Sequence, residues 1–175
     1  VTKTSALRSL LQKVQPDVII NTIAISTIDA CEENHLRCNL INIEPTKTIV
    51  EYCQTKPAVK YIFFSSDLVF DGRKKESYIE SDQTAPLNYY GKTKLISEKM
   101  MVSSLENYVI LRLCFVFGLP QSYQHPNLFT TIYTALRSGK TFSAYRDKTR
   151  SPCFINDLPL VIEKIITKNK KGLFL

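Results

Sequence analysis

Lys60-Tyr61-Ile62-Phe63-Phe64-Ser65-Ser66 sets β-branched and aromatic residues side by side and ends in two small hydroxyls. An apolar run without alternation suits a strand covered on both faces, as in a parallel sheet. The carboxyl end of such a strand is where open α/β sheets bind their ligands. Upstream, Asp17-Val18-Ile19-Ile20-Asn21-Thr22-Ile23-Ala24 is a second near-continuous apolar run and empties into Ser26-Thr27. Downstream, Tyr108 to Phe117 reads as a third buried strand closed by Gly118-Leu119-Pro120, and Gly172-Leu173-Phe174-Leu175 begins a fourth.

Helical spacing fills the intervals. Ala6, Leu7, Leu10, Leu11 and Val14 predict a helix over Ser5 to Lys13, stopped by Gln15-Pro16-Asp17. A long helical stretch is expected from about Glu32 to Cys53, with an irregularity at Pro45. Tyr89 to Leu105, Leu128 to Leu136 and Asp157 to Thr167 complete the helices, and Thr141 to Ala144 is expected as a short strand. Between Asp67 and Leu87 the chain makes a polar excursion in which Asp71-Gly72 signals a turn. Strands alternating with helices predict an α/β protein, a Rossmann-like, doubly wound, mostly parallel sheet.

Tyr90 and Lys94, in Asn88-Tyr89-Tyr90-Gly91-Lys92-Thr93-Lys94, fall four apart on a predicted helix and therefore on one face. A cation beside a phenol favours the phenolate and is expected to bring Tyr90 down from its usual value, making it a candidate general acid for carbonyl chemistry. The same spacing also occurs on solvated helix faces, so the neighbouring Ser65-Ser66 strand end gives the pair its interest. Tyr89 has Thr93 as its fourth neighbour and no lysine in register. Arg112 interrupts an apolar strand, and a buried arginine needs a carboxylate or a phosphate; an internal salt bridge is at least as good a reading as a ligand contact.

With 175 residues and 44% hydrophobic content, the chain has material for one sizeable core. The net charge of +7 is scattered apart from Arg73-Lys74-Lys75 and Lys168 to Lys171, with no aromatic-interleaved basic motif, so a solvated surface or an anionic ligand is expected and nucleic acid is not. Five cysteines without a Cys-x-x-Cys pair, and two histidines without metal-ligand spacing, are read as reduced thiols in a cytoplasmic protein without metal. No apolar run approaches the length of a membrane span.

Asn21 to Thr27, Phe64-Ser65-Ser66-Asp67-Leu68-Val69-Phe70-Asp71-Gly72, Pro86-Leu87-Asn88-Tyr89-Tyr90-Gly91-Lys92-Thr93-Lys94-Leu95, and Leu111-Arg112 with Val116-Phe117-Gly118 resemble, in order and spacing, the dTDP-4-dehydrorhamnose reductase family of extended short-chain dehydrogenase/reductases. The resemblance implies a catalytic triad of Ser66, in place of the usual Thr, with Tyr90 as acid/base and Lys94 as its partner. It implies a cleft for NADPH or NADH lined by Asn21, Ala24, Asn42, Tyr90 and Lys94, with Asp67 and Arg150 approaching a nucleotide-sugar substrate of dTDP-rhamnose biosynthesis. Asn21 reads equally well as a buried amide joining two loops; for Ser66 the lesser reading is a strand-end hydroxyl satisfying backbone groups. Residues 1–118 would then be a partial dinucleotide-binding domain, and 119–175 a substrate-binding portion with returning core elements. The regulatory β subunit of methionine adenosyltransferase is similar in the same blocks, so a non-catalytic binding subunit stands as the alternative, and a homo-oligomer or a partner enzyme is left open.

A dinucleotide site of this class calls for a glycine-rich turn after its first strand, where backbone approaches the pyrophosphate. The chain has only the separated Gly72, Gly91, Gly118, Gly139 and Gly172, and residue 1 is Val. It is therefore expected to be part of a longer polypeptide, the other reading being a truncated protein that no longer binds dinucleotide. By itself it should not bind NAD(P) normally. Its sheet should expose an edge and an apolar face.

Overall fold

The computed structural model describes residues 4–118, 128–143 and 149–175, which form two compact units, Val1–Leu113 with Lys171–Leu175, and Cys114–Lys170. The division falls after Leu113 rather than at residue 118, and the last five residues return to the first unit. Expectations for Leu119, Pro120, His125 and Ala144 fall outside the described residues.

In the first unit α1 (Thr4–Val14) leads to β1 (Val18–Asn21), followed by α2 (Ile28–Glu33), α3 (His35–Asn42) and α4 (Glu44–Thr55). Next come β2 (Lys60–Ser66), a 3-10 turn (Asp67–Val69), α5 (Tyr89–Ser104) and β3 (Tyr108–Leu113). The second unit contains β4 (Val116–Phe117), α6 (Leu128–Arg137), β5 (Cys153–Phe154) and α7 (Asp157–Thr167), and β6 (Gly172–Phe174) rejoins the first. The main sheet runs β1-β2-β3-β6 with all pairs parallel, which makes the Rossmann-like reading correct. In the second unit β4 and β5 pair with each other.

β2 matches its expected range because its residues are those that can be buried from both sides: Tyr61, Ile62 and Phe63 have no exposed surface. On one face Tyr61, Phe63 and Ile110 pack with Leu11 of α1, with Ile49, Val50 and Cys53 of α4, and with Met101 of α5. Three elements are shorter than the sequence suggests. β1 stops at Asn21, whose side-chain oxygen accepts the Ile23 N–H at 3.0 Å and turns the chain out of the sheet. The long helical stretch is three helices: the Asn34 side chain accepts from Arg37 N at 2.9 Å and starts α3, and Pro45 sits in the first turn of α4. The third strand divides after Leu113, where its pairing with Ser66 ends, and Val116–Phe117 pairs instead with Cys153–Phe154, a two-residue strand too short to show as a pattern. Residues 141–143 form no strand.

The break between α2 and α3 also corrects the reading of five reduced thiols. Cys31 and Cys38 are joined in a disulfide with Cα atoms 5.3 Å apart, because two short helices meeting at Asn34 fold the seven-residue interval back on itself. Cys53, Cys114 and Cys153 are free.

Among the described residues β1 pairs only with β2, and Ile20 on this edge is 45% exposed. No helix among them is long and apolar enough to cross a membrane.

Candidate active site

The site is assembled where β2 ends and α5 begins. α5 starts at Asn88, whose side chain accepts from Gly91 N at 2.8 Å, while the Glu32 carboxylate accepts from Tyr89 N at 2.7 Å. The His35 ring stacks on Tyr89 with centroids 3.6 Å apart, and the Tyr89 hydroxyl donates to Asn39 Oδ1 at 3.0 Å. Tyr89 thus fastens the helix start to α2 and α3 and leaves Tyr90 to turn inward, as the register with Lys94 predicts. Gly91 lets α5 lie against the 3-10 turn, since a Cβ there would collide with the Leu68 carbonyl.

These anchors bring Ser66, Tyr90 and Lys94 together, all buried. The Ser66 hydroxyl accepts from Leu68 N at 3.2 Å and donates to Asp67 Oδ1 at 3.1 Å, and it is close enough to the Tyr90 phenol to act on it. The Lys94 ammonium lies 5.7 Å from the centre of the Tyr90 ring and 4.7 Å from that of Phe63, and it donates to the Phe64 carbonyl at 2.7 Å.

The electrostatics differ from the expectation of a lowered tyrosine. Burial pushes the Tyr90 phenol up to about 12; the Ser66 hydrogen bond works against this and the Asp67 charge adds to it. Burial likewise pulls Lys94 down to about 8, opposed by the Glu98 carboxylate. The ammonium is directed at a backbone carbonyl rather than at the phenol, so helix spacing brought the two side chains together without making the cation the dominant influence.

Asn21 and Asn42 are engaged inside the protein. Asn21 Nδ2 donates to the Tyr61 hydroxyl at 2.9 Å, which makes Asn21 a buried amide joining β1 to β2. Asn42 bridges elements: its Oδ1 accepts from Ile25 N at 2.8 Å, and its Nδ2 donates to Ile25 O at 3.2 Å and to Thr93 Oγ1 at 3.1 Å. Ala24 lies in the loop after β1, half-buried, on the strand-end side of the sheet where Ser66 also lies. Asp67 is half-buried beside Ser66, and Arg150 belongs to the second unit, where it is exposed. Arg112 has the internal carboxylate partner that was one of its two readings: Glu98, bonded through Nη2 at 2.7 Å and Nε at 3.1 Å. The sequence reading did not single out Glu98 or Ser65, although Glu98 stands four residues beyond Lys94 on the same helix face.

Such an arrangement can protonate a developing oxyanion from Tyr90, steady it through Ser66 and place a cation beside both. The model of the family described as "RmlD substrate binding domain" matches residues 1–174, and the chain belongs to that family. A Haloferax volcanii protein named "Probable low-salt glycan biosynthesis reductase Agl14" is 27% identical over 175 residues, covering 99% of this chain and 58% of its own. The crystal structure of a dTDP-4-dehydrorhamnose reductase from Clostridium acetobutylicum superposes with a TM-score of 0.89 at 27% identity, over 99% of this chain and 60% of that one. The Bacillus anthracis dTDP-4-dehydrorhamnose reductase in complex with NADP gives a TM-score of 0.89 at 26% identity, over 98% and 59%. The chain thus spans roughly three fifths of the length of these relatives.

Proposed function

We propose that the protein carrying this chain is an NAD(P)H-dependent reductase of a nucleotide-linked 4-keto-6-deoxysugar, of the dTDP-4-dehydrorhamnose kind. The observation that supports this most is the convergence of Ser66, Tyr90 and Lys94 at the carboxyl end of β2. The residues present suit the nicotinamide end of a dinucleotide: Lys94 would offer its cation to a ribose hydroxyl, Tyr90 would meet the reacting carbonyl, and Ala24 would border the cofactor. With Asn21 and Asn42 committed to internal hydrogen bonds, their part is to shape the cleft wall rather than to grip the cofactor. The chain's five separated glycines provide no pyrophosphate cradle.

A nicotinamide bound at this place would supply the hydride for reduction of a sugar carbonyl. Tyr90, held protonated by its burial, gives its proton to the carbonyl oxygen as charge develops there, and Ser66 donates a hydrogen bond to the same oxygen. Lys94 keeps a positive charge beside the phenol and eases its loss of the proton. Asp67, next to Ser66, and Arg150 are assigned to the sugar and its diphosphate, which the net charge of +7 suits. The first unit is assigned to the cofactor side and the second to the substrate side.

The test is NADPH oxidation by the natural protein with dTDP-4-dehydrorhamnose, alongside Tyr90→Phe. Turnover that falls about 100-fold or more in the variant is the expected result. Normal sugar reduction by Tyr90→Phe removes the acid/base assignment. A wild-type protein that turns over no nucleotide sugar and instead forms a stable complex with a synthetase is a binding subunit.

A further inference from the structure

Behind Lys94 lies a second set of charges that the reaction as written does not use. Tyr90, Lys94 and Glu98 follow one another at four-residue intervals along the buried face of α5. Glu98 accepts from Arg112 Nη2 at 2.7 Å and from Nε at 3.1 and 3.2 Å, and from the Ser65 hydroxyl at 2.5 Å. Only 3% of the Glu98 side chain and 6% of the Arg112 side chain are exposed. Arg112 also donates to the Glu80 carbonyl at 3.3 Å, and its guanidinium lies 5.0 Å from the centre of the Phe70 ring.

An ion pair taken out of water gives back much of its attraction as lost solvation, so apolar residues of equal volume would hold these elements together about as well. What an apolar substitute lacks is a fixed negative charge and a fixed hydroxyl partner at this place. Ser65 precedes Ser66 and is paired in register with Arg112, so the network fastens the last turn of the strand that presents Ser66. Arg112 answers the Glu98 carboxylate from the far side, one helical turn from Lys94.

We infer that Glu98, held by Arg112 and Ser65, is a positioning residue that keeps Lys94 an ammonium and fixes the strand end that carries Ser66. The groups facing Lys94 are few. From α5 they are Tyr90 and Glu98, and from β2 they are the Phe64 carbonyl and the Phe63 ring. Asp67, in the 3-10 turn, acts on Tyr90, and Arg112 of β3 acts through Glu98. Burial already draws Lys94 down to about 8, and Glu98 is the one charge acting on it in the opposite direction. Loss of that charge therefore carries Lys94 towards neutrality at physiological pH.

The experiment titrates Lys94 in the natural protein labelled with lysine carrying carbon-13 at Cε, the Lys94 signal being assigned by its disappearance in Lys94→Met. Glu98→Gln and the double variant Glu98→Gln/Arg112→Met, which leaves no charge unpaired, are compared with wild type. The expected result is a fall of about one pH unit or more in the Lys94 midpoint in both. Sugar reduction should lose its activity at correspondingly lower pH as pH rises, with kcat down about 2-fold at neutrality and about 5-fold at pH 8 and KM little changed, and Glu98→Asp should restore part of both. A folded double variant whose Lys94 titrates as in wild type overturns the inference. The kinetic arm rests on the reductase reading, and the lysine titration does not: a wild-type protein without sugar turnover ends that reading while the titration still decides the role of Glu98.

Discussion

The Lys94 ammonium donates at 2.7 Å to the main-chain carbonyl of Phe64, so the cation of the site is tied to the strand that carries Ser66. Its desolvation has a cost that depends on pH. Lys94 is lowered from 10.5 to about 8 in the folded protein, so between these values the unfolded chain binds more protons and stability rises with pH. Below about 8 the penalty is fully present, and above the unfolded value it is gone. Urea unfolding of wild type and Lys94→Met should show wild type gaining on the variant across this window, by up to about 3 kcal/mol. A difference that stays flat from neutrality to pH 10 would mean that Lys94 is solvated.

The disulfide makes a countable prediction. Alkylation of the unfolded, unreduced chain should label three cysteines, Cys53, Cys114 and Cys153, and prior reduction should raise the number to five. Mass spectrometry reads the difference directly. Labelling of all five without reductant would show Cys31 and Cys38 to be thiols in the isolated protein.

Local pattern carried the reading of the fold wherever an element is buried on both faces or spans several turns. β2 and α7 match their expected ranges, and α5 ends one residue early. The reading failed where the deciding interaction is one side chain or one distant partner. Asn34 interrupts helical spacing without a Gly or Pro beside it, so the break that joins Cys31 to Cys38 left no signal. β5 exists only because Cys153 and Phe154 find Val116 and Phe117. At the site the Tyr90 and Lys94 spacing was legible because a helix places fourth neighbours together. The direction of the Tyr90 shift was not, since it depends on how much protein encloses the phenol. Arg112 announced a need for an anion, but only the packing of α5 on β3 names Glu98 as that anion.

The side of β1 that has no strand partner among the described residues should promote association of the 175-residue chain when it is studied alone. Unpaired strand edges with exposed apolar residues template pairing, and charged side chains suppress it. Ile20, exposed on this strand, is the position at which to test this. Ile20→Lys is expected to shift the chain towards monomer in sedimentation velocity at micromolar concentration, with the far-ultraviolet circular dichroism unchanged. Equal association by both proteins would place the contact on another surface.

Gly91 supplies the sharpest stability prediction because two opposing effects can be compared. It lies inside α5 with no positive backbone dihedral, so alanine there gains roughly 1 kcal/mol of helix propensity. Against this, the added Cβ would strike the Leu68 carbonyl and crowd Pro86, and overpacking of this kind costs about 1–3 kcal/mol when backbone has to move. Backbone is what stands in the way here, so the loss should win, and Gly91→Ala should lower the urea midpoint. The displacement falls between α5 and the turn that follows Ser66, so it also moves Tyr90 relative to Ser66. In a protein that reduces nucleotide sugars, kcat should therefore fall more than KM rises. A Gly91→Ala protein at least as stable as wild type would mean that α5 slides away from Leu68 without cost, and that the helix start is held by Asn88 and Glu32 alone.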